Sequence, residues 1–280
     1  MASTYLPTWL HLPHIPHTLD LRRLYNHPVT LGSALLAYIG LSTAWFLVKD
    51  LYSYYVLLPA DVRGTLSRRP SVYFWSGSIR LVRALRGLDG TDARPIRRFV
   101  QREQQGVYGR AFLRDGELGE RRPPRPELLT QGIPHRQVPQ VLDEKLSEAL
   151  EARYHALAKA YPQLTIGPSL IEPNALALFY TSPSPPAQLH PDIAVEPSSP
   201  LIEFAHIHHS DNSQHIVLAP LDAAEAIEKG WAVRFPLAGG GGVAGQEGRV
   251  MVYAPRDEGE VKVVGMLAER GVQWDMAEVV

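Results

Sequence analysis

"LIEFAHIHHSDNSQHIVLAPL", Leu201 to Leu221, is the stretch on which the reading of this chain turns. Two runs rich in β-branched, aromatic and other apolar residues flank the polar tetrapeptide Ser210-Asp211-Asn212-Ser213. That pattern predicts two antiparallel strands joined by a tight turn, because Asp and Asn tolerate turn backbones. Side chains alternate along a strand, so His206 and His208 share a face with Ile202 and Phe204, and His209 points away. With Asp211 and Asn212 at the centre of the turn, His208 lies opposite His215 and His206 opposite Val217. His206, His208 and His215 then cluster on one face. A slip of one residue would send His215 to the other.

Similar strand-like runs occur at "LTIGPSL" (164–170), "ALALFYTS" (175–182), "WAVRFPL" (231–237) and "RVMVYAP" (249–255). Ahead of them "HRQVPQVLDEKLSEALEARYHALAKAYP" (135–162) reads as a helix of about twenty residues. Pro139 suits an early helical position, and Leu142, Leu146, Leu150, Tyr154 and Leu157 form an apolar stripe. "DAAEAIEKG" is a short helix ended by Gly230. "RDEGEVKVVGMLAERG" is another, with Asp257 and Glu260 as a capping box and Gly271 as its close. Helices and adjacent strands in this order predict an α+β fold, a mainly antiparallel sheet with packed helices, over residues 126–280.

Upstream the organisation changes. From Val29 to Val48 the chain has twenty residues without a charge, the length a bilayer core needs in a helix. Residues 29–57 are therefore read as one N-terminal transmembrane anchor, behind a flexible, Pro- and His-rich segment at 1–28. Lys49, Arg63, Arg68 and Arg69 outnumber Arg22 and Arg23, which places the C-terminal domain on the cytosolic side by the positive-inside rule. Residues 58–125 form a basic juxtamembrane or linker region whose basic residues are all arginine. In it "SIRLVRALRGL" (78–88) sets apolar residues against Arg80, Arg83 and Arg86. That fits a basic amphipathic helix on an anionic membrane surface, or equally a helix packed on the main domain.

Composition removes several chemistries. The 280 residues include no cysteine, so disulfides, thiolate metal sites and cysteine nucleophiles are excluded. A net charge of −1 gives no electrostatic basis for nucleic-acid binding. The patch "LAGGGGVAG" (237–245) lacks the Lys-Ser/Thr of a phosphate loop and reads as a lid or hairpin tip.

Three readings of the histidine cluster stay open on spacing alone. Neutral imidazoles of His206, His208 and His215 could hold a divalent metal, with Asp211, Glu203 or His190 as a fourth ligand, although Glu203 has the wrong strand parity. They could instead act without metal, one as general base and another as a donor to an oxyanion. Or they could be a polar cluster that fixes the hairpin. Trp231 and Arg234 in "KGWAVRFPLAG" could stack on a planar ligand and bind its enolate oxygen, or be a core tryptophan and a surface arginine. His135 and Arg136 in "IPHRQ" could face the site or cap other elements.

The residues also resemble a family. Ala205-His206-Ile207-His208, His215, Gly230-Trp231, Pro236-Leu237-Ala238-Gly239 and Tyr253-Ala254-Pro255-Arg256 follow, in order and spacing, the pattern of the fungal luciferase-domain family. The resemblance covers roughly 200–276 and is weaker over 126–200. It implies a membrane-anchored oxygenase whose luminous members combine O₂ with 3-hydroxyhispidin, a hydroxylated styryl-pyrone. That reaction forms a peroxide that loses CO₂ and emits light. It implies a small apolar aromatic or polyketide substrate and a lipid partner in the endoplasmic reticulum or another endomembrane. No organic cofactor beyond O₂ is implied. On this resemblance His206, His208, His215 and Arg234 take the catalytic roles, and Trp231, Phe204, His135 and Arg136 line the substrate. Phe235 stands where luminous members carry histidine, and the turn is one residue shorter, so light emission is in doubt.

Overall fold

Six strands form one antiparallel sheet in the order β1-β2-β3-β4-β6-β5. They are β1 (Leu164–Pro168), β2 (Leu176–Thr181), β3 (Leu201–Ile207), β4 (Gln214–Val217), β5 (Ala232–Arg234) and β6 (Arg249–Val252). The computed structural model describes residues 28–58, 69–85, 88–103, 107–130, 133, 135–172, 174–181, 201–239 and 246–276. Residues 1–27 of the flexible segment expected at 1–28, residues 240–245 of the glycine-rich patch, Arg86 and His190 lie outside the described residues, and Pro28 already belongs to a helix. Because β1 to β4 form an antiparallel meander, the β1–β2 and β3–β4 connections emerge at the same end of the sheet.

The hairpin register differs from the expected one by two residues. His206, not His208, sits opposite His215, and Ile207 pairs with Gln214. The loop is longer than a two-residue turn: His208 N donates to Ser213 O (2.8 Å), and Asn212 takes a left-handed backbone (φ 59°) to reverse the chain. An even slip preserves parity, so His206 and His215 still share a face.

Among the described residues there are six α-helices: α1 (Pro28–Tyr52), α2 (Pro70–Leu85), α3 (Arg94–Arg102), α4 (Glu144–Ala160), α5 (Pro220–Glu228) and α6 (Glu258–Asp275). The core buries Leu150 and Tyr154 of α4 and Val264, Leu267 and Val272 of α6, together with Leu178, Ala205, Ile207 and Ile216 of the sheet. Each such leucine or isoleucine contributes about 1.5–3 kcal/mol by leaving water.

Two helix boundaries correct the expectation. α4 starts at Glu144, where the Asp143 carboxylate accepts from Lys145 N (3.0 Å). Residues 135–138 are extended instead, because Leu129 N donates to Arg136 O and Val138 N to Glu127 O. α6 runs through Gly271 to Asp275. A side chain at Gly271 would meet Val217 O at 2.7 Å and Ile216 Cγ2 at 2.9 Å, so this glycine is a close approach of helix to β4 and not a stop. At the N-terminus of α6, Asp257 Oδ1 accepts from Glu260 N (2.9 Å), whereas the Glu260 carboxylate turns to Arg121 and Arg256.

The chain divides into two compact units, Met1–Lys49 and Asp50–Val280. α1 continues into a π-helical turn (Ser53–Leu57), and the helix over Leu31–Leu57 is long and apolar enough to cross a membrane. The stretch expected as a linker supplies Ala93, Ile96, Leu113 and Leu118 to the main core. In α2 the arginines turn inward. Arg80 binds Asp50 and the Thr130 carbonyl, and Arg83 donates to Pro236 O (2.9 Å). Phe74, Trp75, Leu81, Val82 and Leu85 are left exposed.

Candidate active site

One face of the sheet carries a row of cross-strand partners: Ala177, His206, His215, Met251 and Val233. His208 joins it from the end of β3. The three imidazole centroids are 4.9 to 5.2 Å apart, and all three side chains are buried.

A β-bulge shapes this face. Leu178 pairs with Ala205 but Phe179 with Glu203, so Phe204 is an extra residue in β3. A bulge changes the parity of the residues beyond it. Phe204 packs in the main core with Ala205 and Ile207, away from the ligand-lining role expected for it. Glu203, which plain alternation puts on the wrong side, reaches His206 Nδ1 at 2.7 Å.

Hydrogen bonds settle the tautomers. A carboxylate only accepts, so His206 Nδ1–H donates to Glu203 Oε1. Ser213 Oγ–H donates to Asp211 Oδ1 (2.6 Å) and must therefore accept from His208 Nδ1–H (2.7 Å). In the neutral rings both Nε2 atoms then carry bare lone pairs, and neither has a hydrogen-bond partner. They point toward Glu172 Oε2, at 3.8 Å from His206 and 3.6 Å from His208. Glu172 lies in the β1–β2 connection, which the meander brings to the hairpin. Sequence reasoning missed it; its only signal was a lone acid between two strand-like runs. Arg136 holds this carboxylate through both terminal nitrogens, Nη1 on Oε1 (3.0 Å) and Nη2 on the Oε2 that the histidines face. Glu172, His206, His208 and His215 can each present one ligand atom within 4.8 Å of the others, a set able to hold a metal ion. Asp211 and Glu203, considered as fourth ligands, instead lie behind the histidines.

Burial, reinforced by the Arg136 cation, holds His208 well below the ordinary imidazole range. Burial and His206 do the same to His215. Burial, with Arg83 and Arg136, pushes His135 down to about 3. Burial alone would raise the Glu203 carboxyl, but hydrogen bonds from His206, Ser169 and Leu170 outweigh it and leave the group lowered.

His135 stacks on His215 (5.7 Å), and Phe235 meets the His215 ring edge-on at 5.2 Å. Phe235, the departure from the luminous pattern, thus sits at the cluster. His135 and Arg234 line a cavity of about 150 Å³ together with Arg83, Leu128, Val233 and Pro236. Arg234 is paired with Glu247, which reduces its use as a free cation. Trp231 is a core residue: its Nε1 donates to Gly119 O (2.6 Å), Arg121 lies over its ring, and it is not among the residues of this cavity. A larger groove of about 610 Å³ opens elsewhere, lined by His209, Asn212 and Ser147. It does not include the three clustered histidines.

Comparison with known proteins agrees with the motif pattern. The Luciferase domain family model matches residues 202–270. Luciferases of Armillaria gallica and Armillaria ostoyae are each 35% identical over 167 residues, which covers 56% of this chain and 61% of theirs. The Neonothopanus nambi luciferase is 40% identical over 73 residues, 26% of this chain and 27% of its own. The chain thus spans less than two thirds of the length of the curated relatives it matches. No solved structure matches it. The matched span contains the paired histidines and the Gly230-Trp231 turn, and over it the chain is similar to the luciferase domain of the fungal luciferases.

Proposed function

We propose that this protein is a membrane-associated, luciferase-like oxygenase that joins O₂ to a hydroxylated pyrone, of the 3-hydroxyhispidin type, or to a related enol. The observation that carries the reading is the convergence of His206, His208 and His215 in a buried cluster within the luciferase-matched span. Buried neutral imidazoles have free lone pairs for removing an enol proton. The same burial makes His208 and His215 weak bases, so the enol must be acidic, as one conjugated to a pyrone carbonyl is. The enolate's electron pair then forms the carbon–oxygen bond and reduces O₂ to the peroxide level, so no external reductant is needed. Exclusion of water protects such an intermediate. The cavity beside His135 is below the roughly 300 Å³ of small-molecule pockets, so ring entry requires its walls to move.

The apolar helix and the exposed Phe74, Trp75, Leu81, Val82 and Leu85 support single-pass anchoring in an endomembrane such as the endoplasmic reticulum, with the C-terminal domain cytosolic. The reaction is tested by O₂ uptake with 3-hydroxyhispidin on the full chain in detergent. Uptake that is lost in His208→Ala supports it. A folded protein that neither binds nor consumes the pyrone rules this substrate class out.

A further inference from the structure

We infer that Glu172, His206, His208 and His215 form a binding site for one divalent first-row transition ion. The inference goes beyond the substrate reading and does not depend on it.

The first argument is electrostatic. In the neutral rings Nε2 of His206 and Nε2 of His208 carry lone pairs, because Glu203 and Ser213 fix the single ring hydrogen on each Nδ1. Both face Glu172 Oε2 at 3.8 and 3.6 Å, with no hydrogen between them. Three acceptors gathered in a buried space repel one another unless a cation sits among them. Arg136 pairs with the Glu172 carboxylate through both terminal nitrogens, its Nη2 on the same Oε2 that the histidines face, but it reaches neither imidazole, and both Nε2 atoms are left without a hydrogen-bond partner. His215 brings a further buried ring with an unpartnered Nδ1.

The second argument is the supporting shell. Metal-ligating histidines characteristically donate their other ring nitrogen to a carboxylate or similar acceptor, which fixes the ring and the tautomer. Here Glu203 does this for His206, and the Ser213–Asp211 pair does it for His208. Arg136 does the equivalent for the Glu172 carboxylate. Structural hairpin histidines need none of this to be directed inward at a third acceptor.

The third argument is size and ligand type. The four ligand atoms lie within 4.8 Å of one another. Ligands at about 2.0–2.2 Å from a tetrahedral ion are about 3.4 Å apart, so modest side-chain movement closes the set. Three imidazoles and one carboxylate suit iron, manganese, cobalt, nickel, copper or zinc, and do not suit calcium or magnesium, which take oxygen ligands.

The test uses the full chain, purified in detergent without a histidine tag. Elemental analysis is expected to find about one transition ion per chain. After chelator stripping, Co²⁺ titration should saturate at one equivalent with visible d–d absorption. His208→Ala and the milder Glu172→Gln should each weaken Co²⁺ binding by about 100-fold or more. His209→Ala, at an exposed histidine of the same loop, should leave it unchanged. Circular dichroism confirms that each variant is folded. Absence of both bound metal and a Co²⁺ spectrum in the folded wild type overturns the site, as does equal loss in His209→Ala. Co²⁺ binding is read without substrate, so this inference and the pyrone reading can fail separately.

Discussion

Ser213→Ala is a one-atom test of the site's wiring. The Ser213 hydroxyl accepts from His208 Nδ1–H at 2.7 Å and donates to Asp211 Oδ1 at 2.6 Å. Without it, His208 Nδ1 and Asp211 Oδ1 are 3.7 Å apart, too far for a direct bond. A buried N–H at Nδ1 would then be unsatisfied. The ring escapes by moving its proton to Nε2, where Glu172 Oε2 lies 3.6 Å away and can accept after a small shift. The variant thus exchanges one histidine bond for another and loses the bond to the Asp211 carboxylate. Bonds to charged groups contribute about 1.5–3 kcal/mol, so the net loss is about 2 kcal/mol, or about 4–8 °C in Tm for a domain of this size. The proton on Nε2 also blocks the inward lone pair, and ion affinity should fall by about 10–100-fold. Histidine-selective ¹⁵N NMR reads the tautomer, thermal unfolding reads stability, and Co²⁺ titration reads affinity. Retention of the Nδ1–H form with unchanged affinity in Ser213→Ala would refute the reasoning, because a merely structural serine would lower Tm alone.

Three further outcomes are expected. Gly271→Ala drives a methyl group toward Val217 O and Ile216 Cγ2 and should cost about 1–3 kcal/mol by overpacking, seen as a lower urea midpoint with unchanged slope. Burial raises the Asp222 carboxyl to about 6, even though Phe112 N and Leu113 N donate to it. Its folded value exceeds its unfolded one, so its contribution is full below about pH 4 and is lost as pH rises through about 6. Wild type should therefore lose up to roughly 3 kcal/mol relative to Asp222→Asn between pH 4 and 7, measured by urea unfolding across that range. Phe235→His places an imidazole against His215, and with 3-hydroxyhispidin it should raise light output per O₂ consumed, measured with a luminometer and an oxygen electrode.

The six strands were legible because each is a short apolar run bounded by turn residues; β1 to β4 lie in the sheet in chain order, whereas β6 inserts between β4 and β5. The shared face of His206 and His215 was legible too, because it depends on parity and not on exact register. Glu203 was misread for a local reason: nothing in "LIEFAHI" marks Phe204 as the bulged residue, and one extra residue reverses the expected side. Glu172 could not be reached by local pattern, since its place depends on two connections emerging at one sheet end. The start of α4 was misjudged because "HRQV" has helical spacing but finds backbone partners at 127–129. Gly271 looks like a terminator in one dimension, and only the packed strand shows why it has no side chain.

The cross-strand neighbour of His215 on β6 has a chemical consequence of its own. Met251 is fully buried beside that imidazole, in a chain that offers no cysteine as a sacrificial sulfur. Under the proposed reaction, a thioether beside this cluster is the first atom to intercept a peroxide that goes astray. Each unproductive turnover can then be recorded as a sulfoxide at Met251, a polar group forced into an apolar layer with Val233 and Tyr253. On that reading the protein would carry its own wear mark, and peptide mass spectrometry after prolonged incubation with the pyrone and O₂ would count the cycles that failed.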